Sequence, residues 1–553
     1  VSGDDDDDDD DDSNGPMSKK SKKSYDGVGG KKGKKSKKAS KKSTQGKKHK
    51  KDSKKEMKDK DSKKSVKKGK KEKYDDDDDD NSSFIPSMMP SVAPTGCPRQ
   101  PTLLELLSNI TEEQILLDSS TPQGLAFDWL VNSDTSTDVC KYATIEQRYA
   151  MSTLYYSTKG DDWKNNTGWL GEENECTWSS ATCNDQNLLT ILLLESNNLI
   201  GQIPSEFSLL SNLEDIIFFD NKMSGPLPDI SNLKGLKKFD VEKNSFVGPA
   251  FSSLSELLLL ESYLLSDNEL TGSIPEDIGK LTELKNFWII DNKISGSIPK
   301  DISQAIKLEK LFIGKNDITG TIPPEMDQLV DMTQFFANDN KLTGTVPISM
   351  LNRTMLEQLR IHNNKLNGTF PEINIESLKD LRIHKNEFTG TLPSTLANAE
   401  KIVNLLAGDN SFSGPLPSIG TPSLRFFDVR NNDLVGTIPD SLFESPVNLT
   451  NVYIQGNELT GGIPGNFSSA NKLSDFFTSN NTFSGAIPDI PEGSLPALTE
   501  FLLDNNNFTG SMPESICNLR NGVLEDLWVD CTPPAKVACE IPTCCTRCFP
   551  IEE

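Results

Sequence analysis

Seven residues in the middle of the chain have side chains suited to ligand binding, and they recur at a nearly fixed interval. Trp288, Phe312 and Phe336 are 24 residues apart, and Arg360 follows at the same interval. Aromatic faces stack on sugar rings or cover apolar peptide groups, and a guanidinium group can hold a carboxylate through two parallel hydrogen bonds. The complete set is Trp288, Phe312, Phe336, Arg360, His362, Arg382 and His384.

A recurring asparagine sets this interval. Each copy is followed by an apolar residue two positions later and by a glycine four positions later. A period of 20–50 residues indicates a solenoid of stacked repeats, whose extended surface favours binding over catalysis in a buried pocket. The fourteen copies are Asn197, Asn221, Asn244, Asn268, Asn292, Asn316, Asn340, Asn364, Asn386, Asn410, Asn432, Asn457, Asn481 and Asn506.

The residues around Asn292 predict how one repeat folds. Phe287 and Ile289 are two positions apart, so they point to the same side of a strand and can be buried. The asparagine side chain can accept a hydrogen bond from one backbone turn and donate to the next, which predicts a ladder of stacked amides. Gly296 permits an unusual backbone angle, and Pro299 closes the turn without needing a donor.

The whole pattern, L-x-x-L-x-L-x-x-N-x-L-x-G-x-I-P, resembles the plant-type leucine-rich repeat. The resemblance implies an α/β solenoid, a right-handed superhelix with a parallel inner β-sheet, in which the G-x-I-P half lies towards the outer face. It also implies that the residue four positions before each asparagine points outward on the concave face, Asp240, Leu264 and Asp428 included. Trp163, Trp169, Cys176, Trp178 and Cys183 resemble the N-terminal cap of this family, although Ser180 and Ala181 replace its Gly and Val.

Composition divides the chain into five segments. Residues 1–80 form an Asp/Lys-rich tail that we expect to be disordered, because it has few apolar residues. Residues 81–101 are a Pro/Ser linker, 102–188 a helical region with the N-terminal cap, 189–513 about fourteen repeats, and 514–553 a Cys-rich C-terminal cap. The tail is a solvated tether, a binder of polyanion or mineral surfaces, or a nuclear address or nucleic-acid arm.

Charge restricts the partners of the repeats. Residues 1–80 carry 27 Lys against 21 Asp or Glu, whereas the remainder carries 31 Lys or Arg against 61 Asp or Glu. So acidic a solenoid repels nucleic acid and favours a cationic or neutral partner. No apolar run is long enough for a transmembrane helix, which needs about 20 residues. The chain starts VSGDDDD without Met, so we expect that a secretion signal or a membrane anchor is missing from an incomplete N-terminus.

The cysteines avoid the repeats and gather at both ends, where a solenoid needs caps. Disulfides there imply an oxidising compartment, while the C-x-x-C of Cys545 and Cys548 leaves a metal site as the alternative. The predicted disulfide cysteines are Cys97, Cys140, Cys176, Cys183, Cys517, Cys531, Cys539, Cys544, Cys545 and Cys548. The candidate glycosylation sites after the linker are Asn109, Asn165, Asn352, Asn367, Asn448, Asn466, Asn480 and Asn507.

No motif indicates catalysis: the chain has no kinase glycine-rich loop, no G-x-S-x-G and no H-E-x-x-H. The resemblance implies a non-enzymatic extracellular or cell-surface recognition protein that binds a protein, peptide or glycan on the concave face, without a cofactor or metal. The alternatives are a structural wall or mineral-associated protein and an inhibitor of a secreted wall-degrading enzyme. Because His362 and His384 lie in the predicted surface, we expect binding to change near pH 6–7.

Overall fold

One strand from each repeat joins a long parallel sheet, which we call the inner sheet. The structure, a computed structural model, describes residues 98–134, 137–139, 144–252, 254–352, 355–467, 469–531, 537–539 and 544–549. The strands are Leu189–Leu193, Asp215–Ile217, Lys238–Asp240, Ser262–Leu264, Asn286–Trp288, Lys310–Phe312, Gln334–Phe336, Gln358–Arg360, Asp380–Arg382, Asn404–Leu406, Phe426–Asp428, Asn451–Tyr453, Asp475–Phe477, Glu500–Leu502, Asp526–Asp530 and Arg547–Phe549, with Ala181–Cys183 antiparallel at the first edge. The predicted fold class is confirmed.

The alternation of side chains along each strand builds the core. Phe287, Leu311 and Phe335 are paired in register on neighbouring strands, and all three are fully buried. The same register places Trp288, Phe312 and Phe336 side by side on the opposite face. We call this opposite face the open face, because its side chains are half-buried at most of these positions.

A second set of strands, most of which contain the repeat glycine, forms outer sheets of four, seven and three strands in the described residues. Gly344 shows why glycine recurs there: its φ is +78°, and an added Cβ would lie 2.9 Å from the Thr321 methyl carbon. The strands are Ile200–Gly201, Lys222–Pro226, Ser245–Pro249, Glu269–Thr271, Thr319–Gly320, Lys341–Gly344, Lys365–Thr369, Glu387–Thr391, Ser411–Pro415, Asp433–Gly436, Glu458–Leu459, Ser484–Ala486, Asn507–Ser511 and Val537–Ala538.

The predicted asparagine ladder is present. The Nδ2 atom of Asn292 donates to the carbonyl of Leu265 in the preceding repeat at 3.0 Å and to its own turn at Ile289 and Ile290. Its Oδ1 atom accepts from the backbone N–H of Leu270 at 2.9 Å. The residue before each ladder asparagine has a positive φ in almost every repeat, 53° at Asp291 for example. Each asparagine thus satisfies backbone groups that neither sheet pairs.

The region before the repeats is helical, as its apolar spacing predicts. The helices there are Arg99–Leu107, Glu113–Leu116, Pro122–Asn132 and Ile145–Ser157. The buried Arg148 ties this cap together, because its guanidinium group pairs with Asp134 at 3.0 Å and Glu175 at 3.2 Å. Trp129 and Trp178 flank the same guanidinium group at 5.0 and 5.2 Å. The tryptophans of the cap are therefore core residues.

Short helical segments follow many of the outer strands, and two more, Gly160–Asp162 and Glu175–Thr177, lie in the N-terminal cap. The α-helices are Ile348–Leu351, Ser441–Glu444 and Glu514–Leu519. The 3₁₀ segments are Gly160–Asp162, Glu175–Thr177, Ser205–Leu209, Leu254–Glu256, Glu276–Lys280, Lys300–Gln304, Pro324–Gln328 and Ser394–Asn398. Within the described residues, none of the helices has the length and apolar character of a membrane span.

Four disulfides close the two ends of the repeats. Cys176–Cys183 lies in the N-terminal cap, and Cys517–Cys544, Cys531–Cys548 and Cys539–Cys545 lie in the C-terminal cap. These eight cysteines are disulfide-bonded as predicted, so Cys545 and Cys548 do not form the alternative metal site. Cys97, Cys140 and the Asp/Lys-rich tail lie outside the described residues. The strand Arg547–Phe549, which the sequence did not predict, extends the inner sheet beyond Asp526–Asp530.

Candidate ligand-binding surfaces of the inner sheet

Three aromatic rings form a continuous stack across neighbouring strands of the open face. The rings of Trp288 and Phe312 are 5.0 Å apart at an interplanar angle of 18°, and those of Phe312 and Phe336 are 4.3 Å apart at 3°. The guanidinium carbon of Arg360 lies 4.4 Å from the Phe336 ring centroid, which continues the stack with a cation–π contact. We call Trp288, Phe312, Phe336, Arg360 and Arg382 the aromatic–cationic surface.

A carboxylate that the sequence prediction missed holds the two arginines. Asp380 accepts from Arg360 Nε at 2.8 Å and pairs with Arg382 Nε at 3.3 Å, and only 4% of it is exposed. Two guanidinium groups and one carboxylate leave a net charge of +1. Asp380 lies two positions before Arg382 on the same strand, so the alternation of side chains could have placed it on the open face.

The two histidines are buried, so they offer little surface to a ligand. Their rings stack at 4.3 Å, and His362 and His384 are only 6% and 7% exposed. Burial, with His362 and nearby cations adding to it, lowers the pKa of His384 to about 2. The expectation that binding follows histidine titration near pH 6–7 is therefore wrong for His384, which stays neutral throughout the physiological range.

Three residues predicted to point outward are buried. Asp240, Leu264 and Asp428 are 6%, 5% and 2% exposed, although each lies four positions before a ladder asparagine. Lys238 pairs with Asp240 at 3.3 Å, and Arg430 pairs with Asp428 at 3.2 Å. A long cationic neighbour that shields a short acidic side chain explains the burial of the two aspartates. Burial raises the pKa of Asp428 to about 6.

A second group of rings lies further along the open face. Tyr453 and Phe477 are 4.7 Å apart, and Phe426 meets Tyr453 edge-on at 5.3 Å. Beside them, acidic residues occupy the position six before the ladder asparagine, or its equivalent, on three successive strands: Asp475 pairs in register with Glu500, and Glu500 with Asp526. We call Phe426, Tyr453, Phe477, Asp475, Glu500 and Asp526 the aromatic–acidic surface. The sequence prediction missed it because the acidic residues lie six positions before the asparagine, at a position that the prediction did not compare between repeats.

Metal-binding side chains come together in the described residues only at Cys531, Cys539 and Cys545. Disulfide bonds occupy all three sulfur atoms. Apart from these disulfide-bonded cysteines, the described residues bring no three potential metal ligands together.

Most glycosylation candidates are accessible. Asn448 is only half-buried, and its Oδ1 atom accepts from Lys472 at 2.7 Å. The exposed candidates are Asn109, Asn165, Asn352, Asn367, Asn466, Asn480 and Asn507. Their use in the protein remains a prediction.

Comparisons with known proteins place these surfaces in a family context. The leucine-rich repeat family model matches residues 423–444, 448–470 and 497–519. A receptor-like kinase of Arabidopsis thaliana, TMK4, is 34% identical over 80 residues, which are 14% of this chain and 8% of that protein. The chain thus spans under a tenth of that relative's length.

Two solved structures share the fold. The leucine-rich-repeat ectodomain of the Arabidopsis thaliana receptor kinase GASSHO1/SCHENGEN3, in complex with Casparian strip integrity factor 2, has a TM-score of 0.57 and 29% identity over 65% of this chain and 46% of that chain. The ectodomain of the Arabidopsis receptor kinase HAESA, in complex with an extended IDA peptide hormone, has a TM-score of 0.54 and 25% identity over 70% and 73% of the two chains.

Proposed function

We propose that this chain, which is a leucine-rich-repeat protein of the plant type, recognises an extracellular peptide or protein segment through the open face of its inner sheet. The observation that carries the proposal is the stack of three rings ending on Arg360. Rings in register on adjacent strands offer one apolar strip, and an extended peptide can lie along it. The arginines at its end suit an acidic group.

Sheet stability alone gives a weaker account of the rings. A cross-strand pair contributes about 0.2–1 kcal/mol, which smaller residues such as Thr can also supply. A contiguous exposed aromatic patch usually marks an interaction site. The ectodomains of GASSHO1/SCHENGEN3 and HAESA were solved with bound factors, which supports a recognition role for a chain of the same fold.

The proposed compartment is extracellular, and the proposed role is binding without catalysis. Four disulfides in the caps suit an oxidising compartment, because thiols stay reduced in the cytosol. Seven exposed glycosylation candidates are compatible with secretion.

A display library of random peptides, selected on the immobilised full chain, tests the proposal, with a glycan array in parallel. We expect selected peptides to lose affinity by about tenfold or more in a Trp288→Ala, Phe312→Ala variant, because central aromatic residues dominate most interfaces. Arg360 is left unchanged, since its removal would deprive the buried Asp380 of a partner.

Leu258→Ala with Leu259→Ala is the matched control. Both leucines are about half exposed and precede the strand Ser262–Leu264. Their replacement by alanine therefore removes exposed apolar surface away from the rings. Circular dichroism during heating verifies that both variants fold. Equal affinities for wild type and the Trp288/Phe312 variant would refute the proposal, and selection of glycans alone would replace the peptide with a sugar ligand.

A further inference from the structure

The aromatic–acidic surface is a second exposed strip on the same sheet. Tyr453 and Phe477 lie in register on adjacent strands, and Leu502 and Trp528 continue their row towards the C-terminal cap. All four side chains are half-buried, so their outer faces reach solvent. The strip is separate from the aromatic–cationic surface, because the strand Asn404–Leu406 lies between the strands of Arg382 and Phe426.

Asp475 is held in a fixed position at the edge of these rings. Its Oδ2 atom accepts from Tyr453 Oη at 2.8 Å and from Asn451 Nδ2. Its Oδ1 atom accepts from Ser474 Oγ at 2.9 Å and from Thr499 Oγ1 at 3.3 Å. Four donors fix both oxygens, so the negative charge of Asp475 stays beside the rings.

Glu500 and Asp526 continue the negative charge on the next two strands. Like charges placed opposite one another in a sheet are destabilising. Burial, together with Asp475, Asp526 and Glu525, raises the pKa of Glu500. The sheet gains nothing from three successive carboxylates, whereas a bound cation would relieve their repulsion.

The nearby cations leave an acidic excess. Arg430 pairs with the buried Asp428 at 3.2 Å and lies 5.8 Å from the Tyr453 ring. Arg547 lies over the Trp528 ring at 4.3 Å, at the last strand of the sheet. Within the described part of the chain, neither arginine forms an ion pair with Asp475, Glu500 or Asp526. Gln455 lies two residues after Tyr453, and its buried side-chain oxygen, Oε1, accepts no hydrogen bond from the described residues.

We propose that the aromatic–acidic surface binds the lysine or arginine side chains of a peptide ligand. A cation over an aromatic ring is attracted by its π-face, and adjacent carboxylates strengthen the contact through charge-assisted hydrogen bonds. The inference rests on the proposed function in taking the ligand to be a peptide. It adds that the ligand carries basic residues for this surface and an acidic group for the arginines.

The spacing of the two surfaces sets the length of that ligand. Four strand steps separate Arg382 from Asp475, which is about 19 Å at ~4.8 Å per step. An extended peptide covers this distance in about six residues. A segment of that length with opposite charges at its two ends therefore reaches both surfaces.

Fluorescein-labelled hexalysine is the probe, titrated into the full chain and followed by fluorescence anisotropy. We expect Glu500→Gln with Asp526→Asn to weaken binding by about fivefold to tenfold, because two of the three carboxylates are neutralised. Asp475 is kept, since an amide there would face its four donors. The aspartate runs of the N-terminal tail contribute equally to wild type and variants.

Asp327→Asn with Asp331→Asn is the charge-matched control, because both aspartates are exposed and lie outside the inner-sheet strands. We expect it to change hexalysine affinity less than twofold. Equal losses in the two variants would show that only net charge matters and would overturn this inference. The loss can be specific to Glu500→Gln with Asp526→Asn while no selected peptide depends on Trp288 and Phe312. In that case the proposed function fails, and the binding of cationic side chains by the aromatic–acidic surface still stands.

Discussion

The aromatic–cationic and aromatic–acidic surfaces stand on the same frame of core residues and ladder asparagines and differ in the charged side chains of two rows. Arg360 and Arg382 lie in the row of the rings on the first surface, whereas that row of the second surface is uncharged. Both have rings at the position four before the ladder asparagine. At the position six before it, or its equivalent, the first surface has Asn286, Lys310, Gln334, Gln358 and Asp380, and Arg360 and Arg382 pair with Asp380. The second surface has Asn451, Asp475, Glu500 and Asp526 at this position. The two surfaces thus share their apolar character and differ in the sign of the neighbouring charge.

This difference shows how a repeat protein can separate folding from recognition. Core residues such as Phe287 and the ladder asparagine stabilise each repeat, while side chains on the open face lie on the opposite side of the strand from the core. A change in the row six positions before the ladder asparagine can therefore alter which ligand charge the surface prefers without altering the fold. The comparison fails if the core residues and ladder asparagines under the two surfaces differ in their contribution to stability. It also fails if the row six positions before the asparagine does not determine which ligand charge is bound.

The largest effect is expected from removing the shared frame. Asn340, under the aromatic–cationic surface, and Asn457, under the aromatic–acidic one, each donate to three carbonyls and accept one backbone N–H. An alanine leaves these buried groups unpaired, so we expect each variant to lose about 2–4 kcal/mol of unfolding free energy. Urea unfolding measures the loss, and Asn471→Ala, at an exposed asparagine outside the ladder, is the control. A loss at only one of the two sites would show that the frames differ.

A smaller effect, about tenfold in affinity, is expected from exchanging the charged row. Lys310→Glu, Gln334→Glu and Gln358→Glu give the aromatic–cationic surface the acidic row of its counterpart. We expect this triple variant to gain hexalysine binding, measured by fluorescence anisotropy. The control makes the same charge change at Lys300→Glu, Gln304→Glu and Gln328→Glu, which are exposed on 3₁₀ segments. An equal gain in the control would mean that the row has no special role.

The sequence predicts the frame of both surfaces, because the recurring asparagine locates each strand. The alternation of side chains then shows which residues of the strand point to the core and which to the open face. Trp288, Phe312 and Phe336 were placed side by side on that basis. The sequence does not predict the burial of His362 and His384. Both lie past the ends of their strands, where the alternation of buried and exposed side chains no longer holds. The burial of Asp240 and Asp428 depends on which long neighbouring side chain covers each of them, and the repeat pattern does not predict this. The pairing of the last six cysteines has fifteen solutions that spacing alone does not separate.

The smallest effect is expected from pH, and it separates the two surfaces without mutation. The raised pKa of Glu500 means that its carboxylate takes up a proton at a higher pH than an ordinary glutamate. Lowering the pH from 7.5 to 5 should therefore neutralise part of the acidic row while hexalysine stays fully charged. We expect hexalysine affinity to fall about threefold, and the Glu500→Gln variant to lose most of that dependence.

The arginines of the aromatic–cationic surface and the neighbouring His384 should not change charge over the same range. Arginine stays protonated, and His384, with its pKa lowered to about 2, stays neutral. A selected peptide without titratable groups in this range, measured on the same protein at pH 7.5 and 5, should keep its affinity within twofold. If its affinity falls in parallel with that of hexalysine, a general change in the protein is responsible, and the acidic row does not distinguish the two surfaces.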